Sequence, residues 1–331
     1  MRQVDVCVRG AGAVGSCLAL ALARQGLSVA LQDGGPRAAA PARQDVRTYA
    51  LNAVSVDLLR ELKVWDAMAA DARCPVYDMH VEGDAAGSAL DFSAWSQGVE
   101  ALAWIVDAAE LERTLAAAVA FAPHVQVVAD GPVDAALLAI AEGKASATRQ
   151  QLGVAMPVQR YGQRAVAARL QSDLAHAGVA RQWFRSPDVL ALLPFDAPEP
   201  QRSYALVWSL PRERCAELMA LSDEDFAAAL MAATRGEAGD LLLASARAEW
   251  PLAIAQASAW SGPGWVLLGD AAHLVHPLHA QHGPLGIVGG LGISGAVAAY
   301  QGRWLCGDCA RAAGAKAGPR PSPRSPTPGR R

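Results

Sequence analysis

Gly10-Ala11-Gly12-Ala13-Val14-Gly15 lies close to the N-terminus and decides the fold. It follows Val4 to Val8, an apolar run broken only by Asp5, with Arg9 between; such a run reads as a buried parallel strand. Residues 13–25 are rich in Ala and Leu and predict a helix, closed by Gly26 as a C-terminal stop. Ser28 to Leu31 predicts a second strand that ends near Asp33, which completes a βαβ unit. In this pattern the first glycine permits a tight turn, the second lets backbone approach a pyrophosphate, and the third lets helix and strand pack closely. The helix N-terminus then offers free N–H groups and a partial positive charge to phosphate. Asp33 falls about 20 residues after the fingerprint, where an acid can bond ribose hydroxyls. Dinucleotide contacts are therefore expected at Gly10, Gly12, Ala13, Val14, Gly15 and Asp33. The fingerprint alone leaves NAD and FAD both open.

Working outward, the chain of 331 residues is long enough for about two domains of roughly 100–200 residues each. A composition of 52% hydrophobic and 18% charged residues supports a large core and argues against global disorder. The net charge of -3 gives no sign of a nucleic-acid partner. The N-terminus shows no signal-peptide pattern, and no stretch reads as a spanning helix. The cysteines follow no framework spacing, which fits reduced thiols and a cytoplasmic location.

Leu51, Val54, Leu58, Leu59 and Leu62 have helical spacing, so a helix is expected over 50–63. Residues 76–92 alternate like strands. Residues 107–121 read as an amphipathic helix with Leu111, Leu115 and Val119 on one side. Val125 to Val128 and Leu137 to Ala141 are further short strands. Residues 165–170, 179–185, 189–194 and 203–209 predict an antiparallel sheet, followed by a helix at 223–235. Trp265 to Gly269 returns to an apolar strand. From Gly314 the composition is mostly Pro, Arg, Ser and Gly and predicts disorder. The fold class expected is α/β: a Rossmann-like FAD-binding domain with a second α+β substrate domain built on a mostly antiparallel sheet. The expected division assigns 1–75, 98–152 and 258–300 to the first domain, 76–97 and 153–257 to the second, and 301–331 to a tail.

Three further segments favour FAD by resemblance. Asp45-Val46-Arg47-Thr48-Tyr49-Ala50-Leu51-Asn52 resembles the Asp-x-Arg-x-x-Ala-Leu segment of the ubiquinone-biosynthesis flavin hydroxylases, a branch of the class A flavoprotein aromatic hydroxylases. Ala141-Glu142-Gly143-Lys144-Ala145-Ser146-Ala147-Thr148-Arg149 is similar to their Ala-Asp-Gly-x-x-Ser-x-x-Arg segment. Gly269-Asp270-Ala271-Ala272-His273-Leu274-Val275-His276-Pro277 matches their Gly-Asp-Ala-Ala-His-x-x-His-Pro motif. The resemblance runs roughly from residue 3 to 287. It implies an FAD-dependent monooxygenase that hydroxylates a phenolic ring with NAD(P)H and O₂. It adds Arg47, Glu142, Gly143, Gly269, Asp270 and Pro277 to the cofactor contacts, with Asp270 on the ribityl chain and Pro277 against the flavin ring. No catalytic base is singled out. A small aromatic substrate is implied, and a polyprenylated one would bring peripheral inner-membrane contact and association with other ubiquinone-biosynthesis proteins.

The sequence also departs from that family. Glu142 stands where an aspartate is usual, and Ala109 falls near a usual arginine. After Pro277 the segment Leu278 to Gly286 keeps only Gln281 and Gly286 of the family's glycine-rich loop. An aberrant or truncated C-terminus is expected from that loss of pattern. A flavin-binding pseudoenzyme, or another FAD-dependent oxidoreductase of the superfamily, therefore stays open. His273, His276, His279 and His282 recur every third residue, but Pro277, Gly283 and Pro284 break any helix, so no metal site is expected. Cys306 and Cys309 form a single C-x-x-C outside any βαβ context. Cys7 and Cys17 are expected to pack as small hydrophobes, and Trp208 is a candidate for the substrate cavity.

Overall fold

The computed structural model describes residues 3–33, 45–85 and 87–274. The strand Val4–Arg9 is central to a six-stranded sheet, with Val6 and Val8 fully buried. Val29–Gln32 pairs parallel on one side, and Val125–Val128 pairs parallel beyond it. Ala135–Ile140 pairs parallel on the other side, and Trp265–Leu267 parallel beyond that. The short strand Ser261–Gly262 closes this edge antiparallel. The helix Ala13–Arg24 packs Leu18 and Leu22 into a core shared with Leu111 and Leu115 of the helix Ala108–Ala120. Gly26, at φ +82°, adopts the left-handed conformation expected of a helix stop.

A second sheet has nine strands and is mainly antiparallel. Its longest member, Val158–Ser172, pairs with Ser203–Pro211 and with Ala248–Gln256. Asp188–Phe195 and Val179–Arg185 follow, then Asp78–Glu82 in parallel and Ala89–Ser93 at the edge. Helices Arg212–Ala220 and Asp223–Thr234 cover one face, over Val166, Trp183, Leu190, Leu206 and Trp208. The other face presents Ala180, Ala191, Leu193 and Ala205, and packs on a three-stranded sheet of Thr48–Leu51, Ala103–Asp107 and Arg73–Val76.

Some sequence expectations are corrected. The helix expected over 50–63 begins later, at Ala53, because Thr48–Leu51 pairs as a strand with Ala103–Asp107. Asn52 then caps the helix, accepting from the Ser55 N–H at 2.9 Å. Trp208 does not line a cavity: it is 1% exposed and packs 6.2 Å from Phe226. Its position on the strand decides this, since Leu206, Trp208 and Leu210 all point under the helices. The helix Arg212–Ala220 and the strand Ala248–Gln256 are additions to the elements expected from sequence. Cys7 and Cys17 are buried as expected. Among the described residues no helix is long and apolar enough to cross a membrane.

Candidate active site

Parallel pairing brings the candidate segments to one edge. Arg9 pairs with Ile140, Ile140 with Leu267, and Arg9 with Gln32. The residues that follow those strand ends are therefore neighbours: Gly10–Gly15, Ala141–Gly143, Gly269–Asp270 and Asp33. The carboxyl edge of a parallel sheet, where connections leave to opposite sides, is where ligands bind in such folds.

Close approach explains the glycines. Gly10 has φ +101°, and a Cβ there would run into the carbonyl of Ala141. A Cβ on Gly15 would run into the carbonyl of Gly10. Gly269 has φ +56°, and a Cβ there would lie 3.2 Å from Cγ2 of Val14. Val14, on the first turn of the helix, thus packs beside the Gly269–Asp270 turn.

The helix Ala13–Arg24 begins at Gly12 with no side-chain cap and no acidic residue in its first turn. By contrast Asn52, Asp107, Ser146 and Ser222 each cap their helices by accepting from a backbone N–H. An uncapped helix start leaves N–H groups and the positive end of the dipole for an anion.

Asp270 stands exposed at this edge, yet protein crowds it on several sides. Burial raises its carboxyl above the usual range, and His273 and Lys144 pull it down only in part. His273 stacks on Trp260 with ring centroids 5.1 Å apart, and among the described residues neither of its ring nitrogens has a hydrogen-bond partner. Burial lowers its pKa against the pull of Asp270, which favours the neutral imidazole. Arg149, 6% exposed, donates to the Ala271 carbonyl and to the Lys144 carbonyl, each at 3.1 Å. It ties the Glu142 segment to the Asp270 turn.

Glu142 is at the edge, but both its oxygens accept hydrogen bonds from the chain itself. They come from Ser146 Oγ at 2.6 Å, Thr148 Oγ1 at 2.7 Å and the Thr148 N–H at 3.0 Å. Burial raises its pKa, but these bonds and Arg9 outweigh burial and hold the carboxyl below the usual range. It is a brace for the loop more than a free acid aimed outward. Gly143, at φ +74°, turns the chain behind it.

Arg47 is not on a helix start. It precedes the strand Thr48–Leu51, half-exposed, with its guanidinium on Asp45 at 2.6 Å and Glu112 at 3.7 Å. Asp33 is exposed immediately past Val29–Gln32. Pro277, His276, His279, His282, the segment from Leu278 and the tail lie outside the described residues.

Several contributors carry no signal in the sequence. Gln32, 1% exposed, accepts from Arg9 Nε and donates to the carbonyls of Ala129 and Gly131, fixing the floor below the glycine turn. Arg9 also donates to Thr148 at 2.8 Å. Arg169, 5% exposed, bonds Asp107 at 2.9 Å and the Arg47 carbonyl at 3.1 Å, and joins the large sheet to the small one. Between those sheets lies an apolar pocket lined by Ala50, Leu51, Asn52, Val76, Met79, Leu102, Ala103, Ile105, Ala180 and Leu193. Elsewhere, Cys74, His176 and Asp196 converge, but His176 accepts the Gly178 N–H at Nδ1 and faces Asp196 with Nε2. Both ring nitrogens are thereby engaged within the chain.

A family described as "FAD binding domain" matches residues 3–130 and 105–288. The chain belongs to this FAD-binding family. Ubiquinone hydroxylase UbiL of Rhodospirillum rubrum is 27% identical over 85% of this chain and 69% of its own length. The 3-demethoxyubiquinol 3-hydroxylase of Escherichia coli is 28% identical over 86% of this chain and 77% of its own. Pseudomonas aeruginosa PqsL, solved with 2-aminobenzoylacetate, superposes with TM-score 0.71 at 19% identity, covering 91% of this chain and 86% of PqsL. That last likeness shows the shared fold.

The residues present fit the FAD of the family. The uncapped helix start suits a pyrophosphate, and the glycines clear the backbone path to it. Asp270 stands at the carboxyl edge, no group among the described residues donates a hydrogen bond to it, and ribityl hydroxyls are such donors.

Proposed function

We propose that this protein is an FAD-dependent monooxygenase that hydroxylates a phenolic ring with O₂ and NAD(P)H. The observation that carries the reading is the meeting of the uncapped Gly10–Gly15 turn with the Gly269–Asp270 turn through Val14. Gly10, Gly12, Ala13, Val14 and Gly15 would hold the pyrophosphate, Asp33 and Arg47 the adenosine side, and Gly269 and Asp270 the ribityl chain. Glu142 and Gly143 would shape the loop between them. Residues 1–75, 98–152 and 258–300 would form the flavin domain, and 76–97 with 153–257 the substrate domain. The names of the relatives favour a ubiquinone precursor as the phenol.

Bound FAD supplies the activation of O₂, chemistry that ordinary side chains lack. This chain's task is to bind the ring, orient it and keep water away. The pocket between the sheets, walled by Leu51, Met79, Leu102, Ile105 and Leu193, offers the apolar surface for that.

The test is purification of the full chain without added flavin. A yellow protein whose NAD(P)H oxidation rises when a phenol is added is the expected result. A protein that takes up no FAD, or whose oxidation ignores phenols, overturns the reading.

A further inference from the structure

Face parity on the strand Val179–Arg185 separates its residues. Trp183 lies under the two helices, whereas Ala180 lines the apolar pocket. Gln182 shares parity with Ala180 and therefore points to the pocket side of the sheet. It is paired laterally with Ala191 and with Val81. Along the strand it stands about 7 Å beyond Ala180, two residues of strand rise. Gln182 is 2% exposed, and among the described residues neither its Nε2 nor its Oε1 has a hydrogen-bond partner. On the same face, Ser209 is fully buried, and its hydroxyl is likewise unpartnered. The floor between them is made of Ala191 and Val207.

Leaving a buried amide unbonded costs roughly 1–3 kcal/mol for each unsatisfied group. An apolar side chain in that place would avoid the cost. An amide beside an apolar pocket with a small-residue floor is instead suited to a ligand that brings its own polar atom. A carboxamide offers both functions: Nε2 donates to a phenolate or ether oxygen, and Oε1 accepts from a phenol O–H.

We infer that Gln182 is the polar anchor that recognises a ring oxygen of the substrate, with Ser209 as a second contact on the same face. The inference rests on the reading above, that a phenol binds beside the flavin. It adds the residues by which an oxygen-bearing ring would be told from an apolar ring of the same size.

The experiment is an equilibrium titration of the FAD-loaded full chain, without NAD(P)H, followed by the flavin absorbance. The probes are 2-butylphenol and butylbenzene, which differ by one hydroxyl. The wild-type chain should prefer the phenol by roughly tenfold or more, the range of one buried hydrogen bond. Gln182→Leu should lose that preference and bind both alike, with FAD content unchanged and a melting temperature equal or higher. Gln182→Met, closer in length, should behave the same, and Ser209→Ala should lose less.

Wild-type protein that binds neither probe overturns the monooxygenase reading and this inference with it. Wild-type preference that persists in Gln182→Leu and Gln182→Met overturns this inference alone. So does a Gln182→Leu chain that loses FAD or melts markedly lower, since the amide would then serve the cofactor or the fold.

Discussion

The two faces of the large sheet are built on opposite plans. Under the helices, large side chains meet: Trp183, Trp208, Tyr204 and Phe226 are nearly or fully buried, and Arg247 lies over the Phe226 ring. Facing the pocket, the same strands carry Ala165, Ala167, Ala180, Ala191 and Ala205, together with the unbonded Gln182 and Ser209. A strand alternates its side chains, so each strand supplies both plans at once. The closed face fills its own volume, with one indole N–H, that of Trp183, left unbonded among the described residues, whereas the open face leaves volume and both polar atoms of Gln182 to something else. Among the described helices four are capped by their own side chains, whereas the glycine-turn helix, like Ala94–Gln97 and Arg212–Ala220, is not; it alone of these three starts at the carboxyl edge of the parallel sheet.

The largest effect should come from the closed face. Trp208→Ala removes a ring packed on Phe226 with nothing to replace it. A loss of about 3–5 kcal/mol is expected from urea unfolding followed by circular dichroism. A loss below about 1 kcal/mol would mean that this face is not the packed one.

Next comes the glycine turn. Gly10→Ala places a methyl against the Ala141 carbonyl in a left-handed backbone. About 1–3 kcal/mol of strain is expected, together with protein purified largely free of FAD. Gly26→Ala, at the helix stop away from the site, is the control: its backbone is also left-handed, but a Cβ there meets nothing within 4 Å. It should cost about 1 kcal/mol and keep its FAD. Equal flavin loss in both would show that conformation alone, and not the close approach at residue 10, governs the site.

Asp270→Asn should act on ligand and not on fold. Burial raises this carboxyl in the folded chain, so its contribution to stability is favourable below the usual carboxylate range. That contribution is lost as pH rises through the raised folded value. At neutral pH the ionised group is therefore a cost to the flavin-free chain, and the amide should leave the melting temperature unchanged or higher. FAD affinity should fall by roughly 10- to 100-fold, the range for a hydrogen bond to a charged acceptor. In the wild-type chain FAD should bind more tightly as pH rises through the Asp270 titration, and in the Asp270→Asn variant that slope should vanish. Isothermal titration at several pH values reads both; a persisting slope would assign the titration to another group.

These contrasts differ in how visible they are in sequence. The glycine turn is legible because Gly10, Gly12 and Gly15 are local and each has a steric reason. The helix Ala108–Ala120 is legible because Leu111, Leu115 and Val119 share one face. The Gly269–Asp270 turn is visible through resemblance, and its contact with Val14 belongs to the folded chain. Arg9 is illegible, since its partners Gln32 and Thr148 lie 23 and 139 residues away. The small sheet is hidden because its three strands are short and their partners distant in sequence. Gln182 is silent because one polar residue in a strand looks like a solvent-facing position; only the pairing shows it facing inward.

A small stability effect is expected on the open face. Ala180→Leu enlarges a side chain that lines the pocket on the open face. In a filled core such an insertion costs about 1–3 kcal/mol, because neighbours must leave their rotamers. If the open face holds room for a ring, the added carbons occupy that room, and the cost should stay under about 1 kcal/mol. The same change should weaken 2-butylphenol and butylbenzene alike, because it removes space and leaves the hydrogen bond to the ring oxygen untouched. Gln182→Leu removes the preference and leaves the space. The two variants thus separate shape from polarity on one strand, two residues apart. An Ala180→Leu chain that unfolds at much lower urea while still binding both probes would mean that the alanines pack as tightly as the tryptophans behind them.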